Sequence, residues 1–150
     1  MRKILAILAG IFGLTSAHAS AQGFVAYQDT KSLLQKLENG KMPYNFFGLT
    51  SNGIDCLYFA YENGKFILEY EVMVEPQKKV ASNFISWAKK SGFDVIATTY
   101  GNQPEYQSSS PAPVYRIILD KAVDSAYTEG LSFFSDVFDY KESKMFEVVP

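Results

Sequence analysis

Two glutamates in the middle of the chain, Glu69 and Glu71, have the spacing of a catalytic carboxylate pair. Alternate residues of a β-strand point to the same face, and two residues rise about 7 Å along the strand. That distance is within the range that separates the two carboxyl groups of a glycosidase. Acid–base catalysis also needs one carboxyl group whose pKa is raised in a desolvated cleft, and glutamates on a sheet face are usually solvated. An Asp/Glu hydrolase is therefore kept only as a remote alternative.

The sequence lacks most of the residues and motifs that other kinds of catalysis need. Ser86 and Lys89 match the Ser-x-x-Lys pattern of serine acyl-enzymes, but neither of its companion motifs is present in the sequence. The single histidine, His18, lies in the N-terminal segment, and Cys56 is the single cysteine. Histidine-based triads and histidine or thiolate metal sites are therefore excluded once that segment is removed. We predict a protein that is not an enzyme and that binds neither a metal nor a cofactor.

The first 21 residues have the three parts of an export signal. Arg2 and Lys3 give a positive start, and the apolar run 4–14 is too short to span a bilayer, which needs about 20 residues. Small residues follow, so we expect cleavage after Ala19 or Ala21. The sequence thus predicts a periplasmic or secreted bacterial protein with no membrane span in the mature chain.

The remaining residues, 22–150, have the length of a single domain. Their 12 basic and 16 acidic residues give a net charge of −4 once Arg2 and Lys3 are removed. Nucleic-acid binding calls for a clustered basic surface, so we expect no nucleic-acid partner.

Three segments have the apolar period and the end signals of helices, namely 29–41, 75–92 and 120–139. Between the first two, Asn63-Gly64 separates two apolar runs and predicts a two-residue hairpin turn that pairs Glu62 with Lys65. A second strand pair follows at 93–100 and 112–119, and a short edge strand at 144–149. We predict an α+β domain: a single-layer antiparallel sheet of about five strands with helices packed on one face, in the order α-ββ-α-ββ-α-β.

Alternation away from the hairpin turn divides the side chains between two faces of the sheet. The apolar set that includes Phe59 and Leu68 is predicted to face the core. The opposite face is mixed in character, and we regard it as a candidate binding surface. Its candidate residues are Tyr58, Ile67, Glu69, Glu71 and Met73.

The connection at 101–113 is a second candidate binding surface. Connections longer than about 12 residues are uncommon in compact domains and are often binding loops. Tyrosine combined with amide side chains is typical of recognition surfaces. The alternative is a hairpin end whose tyrosines fold back onto the sheet. The candidate residues of this loop are Tyr100, Asn102, Gln103, Tyr106 and Tyr115.

The predicted order of helices and strands, the start "VAYQDTKSLLQKLENG" and the helix "NFISWAKKSGF" are similar to the bacterial sensory transduction regulator (YbjN-type) family. Ala88 stands where that family usually has asparagine, and the loop between the last two paired strands is longer here. The resemblance implies a fold like that of type III secretion chaperones and a non-catalytic, protein-binding role. It implies no functional residues.

These patterns together predict an exported, non-catalytic module that binds another protein, such as an inhibitor or immunity-type protein of the bacterial envelope. A periplasmic small-molecule or peptide-binding protein is the alternative. A homodimer is compatible with the sequence.

Overall fold

The computed structural model describes residues 23–99 and 112–150, which form three α-helices and seven β-strands. A single 3-10 turn, Tyr27–Asp29, joins the first strand to the first helix. In chain order the elements are β1 (Phe24–Ala26), α1 (Lys31–Glu38), β2 (Phe46–Thr50), β3 (Leu57–Glu62), β4 (Lys65–Glu71), α2 (Gln77–Lys90), β5 (Ile96–Thr99), β6 (Pro113–Ile118), α3 (Val123–Phe138) and β7 (Met145–Val149).

The seven strands of the described residues form one sheet in the order β1-β7-β2-β3-β4-β6-β5, and every neighbouring pair is antiparallel. The α+β class is confirmed. The predicted sheet of about five strands in the order α-ββ-α-ββ-α-β is wrong, because two strands were missed. The observed order is β-α-β-β-β-α-β-β-α-β.

The missed strands are β1 and β2, and each has a sequence that conceals it. β1 has three residues, too few to show alternation. β2 contains Gly48, which reads as a strand breaker. In the structure a Cβ atom at Gly48 would lie 2.7 Å from Val149 Cγ2 and 2.8 Å from the Tyr58 ring. The glycine is therefore the residue that lets β7 and β3 side chains cover β2.

The hairpin of β3 and β4 has the predicted register. Glu62 pairs with Lys65 and Phe59 with Leu68. Asn63 and Gly64 have φ angles of 51° and 75°, the positive values that a two-residue hairpin turn of this kind requires. This turn sets which side chains of β3 and β4 face the core.

The hydrophobic core lies between one face of the sheet, the core face, and the layer of helices. On the core face, Tyr70 of β4 stacks against Phe84 of α2 and contacts Phe133 of α3, with ring centroids 6.0 and 6.4 Å apart. Leu34 and Leu37 of α1 are buried in the same cluster. Within the described ranges, no helix combines the length and apolar character needed to cross a membrane.

Candidate functional site

The second face of the sheet is the candidate site, and we call it the open face. Cross-strand pairing brings Tyr58, Glu69, Arg116 and Ile96 into one row across β3, β4, β6 and β5. No helix of the described residues packs on this face, because the helices contact the aromatic and aliphatic side chains of the core face.

Exposed apolar side chains concentrate on the open face. By strand register, Phe24, Met145, Ile96 and Ile118 point to it, and they are 72%, 50%, 48% and 46% exposed. Tyr44, just before β2, is also exposed and stacks on Phe46 of the same face with ring centroids 5.5 Å apart. The four strand side chains form two groups at opposite ends of the sheet, on β1 and β7 and on β6 and β5. Grouped exposed apolar surface marks interaction sites.

A groove of about 400 Å³ lies at the end of the open face nearest the hairpin turn. Its floor is apolar, formed by isoleucines of three strands, and charged side chains form its rim. The lining residues are Glu62, Asn63, Lys65, Ile67, Ile96, Arg116 and Ile118.

Arg116 forms ion pairs with two glutamates of the open face. Its Nη2 atom donates a hydrogen bond of 3.0 Å to Glu62 Oε1. Its Nε atom lies 2.5 Å from Glu69 Oε1, an ionic contact that is not aligned as a hydrogen bond. Both carboxylates therefore contact the same guanidinium group. The side chain of Arg116 is 26% exposed.

The two central glutamates differ in their surroundings. Burial raises the pKa of Glu69, and the nearby Arg116 guanidinium opposes that shift. Burial also raises the pKa of Glu71, to about 7, and the negative charge of Glu69 adds to it. One glutamate therefore has a cationic partner, and the other is a half-buried acid that titrates near neutral pH.

This difference in pKa is the pattern of an acid–base pair, but the groove does not include it. The groove is lined by Arg116 and Glu62, whereas Glu69 and Glu71 lie outside its lining. A substrate held in the described groove would therefore contact the ion pair of Arg116 with Glu62 and not the acid at Glu71.

Cys56 lies just before β3, close to Glu71. Burial raises the pKa of its thiol to about 12, a hydrogen bond with Tyr58 opposes the shift, and the negative charge of Glu71 adds to it. At neutral pH the thiol is therefore protonated, and a protonated thiol is neither a nucleophile nor a metal ligand.

The structure places four of the five predicted face residues, Tyr58, Ile67, Glu69 and Glu71, on one side of β3 and β4. Tyr58, Glu69 and Glu71 are half-buried there, and Ile67 is 7% exposed. Met73, just beyond the end of β4, is 58% exposed.

Of the five residues of the predicted loop site, only Tyr115 lies within the part of the chain that the structure describes. Tyr115 lies within β6, opposite Tyr70, and packs against the core cluster. Its side chain is thus on the core face and not in a loop. The candidates Tyr100, Asn102, Gln103 and Tyr106 lie outside the described residues and stay predictions.

Arg116, Ile96 and Ile118 are among the contributors to the open face that sequence reasoning missed. They depend on β6 pairing with β4, a contact between strands that lie more than 40 residues apart in the chain. Alternation within the run "VYRIIL" already indicates that Arg116 and Ile118 share a face. Only the register of the sheet places that face beside Glu69.

The part of the chain that the structure describes contains no group of three or more His, Cys, Asp or Glu residues that could hold a metal ion. Comparisons with protein-family models, with curated proteins and with solved structures found no match for this chain.

Proposed function

We propose that this chain is an exported, non-catalytic module that binds another protein through the open face of its sheet. An inhibitor or immunity-type protein of the bacterial envelope has this kind of role. The observation that carries the proposal is that exposed apolar side chains lie at both ends of this face, where four strand residues are each at least 46% exposed.

The composition of the face also supports protein binding. Interfaces combine an apolar centre with a polar rim and are enriched in tyrosine, phenylalanine, methionine and arginine. The open face contains all four types, for example Tyr58, Phe46, Met145 and Arg116.

A matched pair of variants tests the proposal. Ile96→Ser combined with Ile118→Ser makes the open face polar without adding charge. Val74→Ser is the control, because Val74 is 51% exposed but lies in the connection between β4 and α2. Each purified variant is used as bait in an envelope extract, with circular dichroism to show that it is folded. We expect the double variant to lose a partner that the wild type and Val74→Ser both recover.

Recovery of the same partner by the folded double variant would contradict binding through the open face. The loop prediction is tested in the same assay by replacing residues 102–112 with glycine and serine. If only that replacement abolishes recovery, the loop is the contact and the open face is not.

Export is tested separately from binding. When the full chain is produced in a bacterium, we expect the product in the periplasm or medium to begin at Ser20 or Gln22. An uncleaved product that stays in the cytoplasm would contradict export and leave the binding proposal to be judged by the pull-down.

The groove supports a second candidate function, a periplasmic small-molecule or peptide-binding protein. Its volume of about 400 Å³ is within the range of small-ligand pockets. A ligand that binds only the native state raises the melting temperature. A thermal-shift screen of small molecules, repeated with Ile118→Ser, therefore separates this function from protein binding.

A further inference from the structure

The charges of the open face are not balanced within the face itself. Glu69 and Glu71 point to it from β4, Glu62 and Lys65 point to it at the hairpin end, and Glu147 points to it from β7. Arg116 is already in contact with Glu62 and Glu69. The central part of the face is therefore left with an acid that Arg116 does not neutralise.

That acid is Glu71. Among residues 23–99 and 112–150, no lysine or arginine lies within ion-pair distance of its carboxylate. It is half-buried, and its cross-strand partner is the buried Val114 of β6. An ionised carboxylate in such a position is destabilising unless a cation and hydrogen bonds compensate for its lost hydration.

The surroundings of Glu71 are apolar as well as acidic. Met73, two residues further along the chain, is exposed, and the Cys56 thiol lies nearby with its pKa raised by burial to about 12. A group that fits here must bring a positive charge and also cover apolar surface. A lysine or arginine side chain within an apolar segment meets both conditions, because its aliphatic stem packs while its head group pairs.

The other occupants of the face are less compatible with its charges. A second copy of this chain, docked face to face, would place two acidic surfaces against each other. An anionic ligand would be repelled by Glu69 and Glu71 in the same way.

We propose that the partner bound at the open face presents a lysine or arginine side chain to Glu71 from a segment whose neighbouring residues are apolar. This inference rests on the proposed function, and it adds the chemistry of the partner.

The pairing makes binding dependent on pH in one direction. In the free protein the pKa of Glu71 is about 7, and a bound cation lowers it. Binding therefore releases a proton near neutral pH, and affinity rises with pH until it levels off above about pH 7. Among the described residues, the titratable and charged groups beside Glu71 on the open face are Glu69 on its own strand, Cys56 and Tyr58 at β3, and Arg116 on β6, two residues from the cross-strand partner Val114. The Cys56 thiol stays protonated over this range.

The probe is a mixture of eight-residue peptides with one central arginine flanked by valine, leucine and tyrosine in varied order. The matched mixture has citrulline, the neutral analogue of arginine, at the same position. Both are passed over the immobilised purified chain at pH 7.5 and pH 5.5. The variants are Glu71→Gln and the control Glu147→Gln, which removes the same charge from the same face about 14 Å away across three strand spacings.

At pH 7.5 we expect the wild type to retain the arginine mixture about tenfold better than the citrulline mixture. Glu71→Gln abolishes this preference and Glu147→Gln keeps it. At pH 5.5 the preference of the wild type falls towards that of Glu71→Gln.

Equal retention of the two mixtures, no retention of either, or a preference that survives in Glu71→Gln would overturn the inference. Equal loss in both variants would show a general attraction to acidic protein and would overturn it too. If the chain forms a dimer and Ile118→Ser prevents it, the open face binds a second copy of the chain, and the inference of a cationic partner is overturned. None of these results decides the proposed function. That is tested separately, by whether the variant with Ile96→Ser and Ile118→Ser still recovers the partner from the envelope extract.

Discussion

At the scale of single residues, Asp55 holds the connection between β2 and β3. Its Oδ1 atom accepts hydrogen bonds from Thr50 Oγ1 at 2.7 Å and from the backbone N–H groups of Ser51 and Asn52 at 2.9 and 3.2 Å. Its Oδ2 atom accepts one from Ser51 Oγ at 2.5 Å. Asp55 is fully buried, so these donors take the place of water around the carboxylate.

Asp55→Ala removes the acceptor shared by these donors and leaves several of them inside the loop without a partner. We expect the free energy of unfolding to fall by about 2–4 kcal/mol, measured by urea denaturation followed by circular dichroism. Asp94→Ala, at an exposed aspartate, is the control and should change it by less than about 0.5 kcal/mol. A loss below about 1 kcal/mol for Asp55→Ala would contradict this role.

Glu71 gives stability a pH dependence opposite to that of a salt-bridged acid. Its pKa is about 7 in the folded chain and 4.5 as the unperturbed value. Between these values the folded state holds a proton that the unfolded state releases. The stability that Glu71 contributes is therefore complete below about pH 4.5 and lost as the pH rises through 7.

We expect Glu71→Gln to match the wild type near pH 4.5 and to be more stable at pH 8, by about 1 kcal/mol after allowance for solvent screening of a half-exposed side chain. Urea denaturation at a series of pH values measures the difference. A difference that does not change with pH would show that Glu71 titrates at the same pH in both states.

At the scale of elements, Gly130 sets how closely α3 approaches the sheet. A Cβ atom at this position would lie 2.5 Å from the Phe59 ring of β3 and closer still to the Tyr27 hydroxyl. That hydroxyl donates a hydrogen bond of 2.9 Å to the carbonyl oxygen of Tyr127, one turn earlier in α3. The glycine thus leaves room for the buried Tyr27, whose hydrogen bond connects α3 to the turn between β1 and α1.

Gly130→Ala should destabilise the protein although alanine is the better helix former. The helix itself would gain about 1 kcal/mol, but the added methyl group must displace two rings in a packed core, which costs about 1–3 kcal/mol or more. We expect a net loss of stability and a lower melting temperature. Thr128→Ala, at an exposed position two residues earlier, is the control and should be neutral or slightly stabilising.

The elements also show which parts of the fold a sequence can reveal. The three helices and the β3–β4 hairpin were predictable, because a period of 3.6 and the Asn63-Gly64 turn are local signals. β2 was not, because Gly48 looks like a breaker until its contacts with Val149 and Tyr58 are known.

The candidate site was predictable to a similar extent. Alternation from the hairpin turn assigns Tyr58, Glu69 and Glu71 to one face. The contact of Arg116 with Glu69 was not predictable, because it depends on the register of β4 with β6. The local sequence pattern therefore predicts which residues of the β3–β4 hairpin belong to the open face. Only the pairing of the strands in the sheet places Arg116, Ile96 and Ile118 beside them.

At the scale of the whole molecule, the sheet has a covered face, an open face and two short edges. Within the described residues, the edge strands β1 and β5 have three and four residues, and short edges offer little backbone for pairing with another chain. The open face offers a larger apolar area, with exposed side chains from β1, β5, β6 and β7. We therefore expect contact with a partner through side chains of the open face and not through an added strand.

Photo-crosslinking tests this central claim most directly. A benzoylphenylalanine is introduced at Ile118 on the open face or at Thr128 on the exposed side of α3, in cells that produce the full chain. After irradiation we expect a discrete higher-mass adduct from position 118 and none from position 128. An adduct from position 128 with none from position 118 would show that the helical layer contacts the partner, and it would contradict the account.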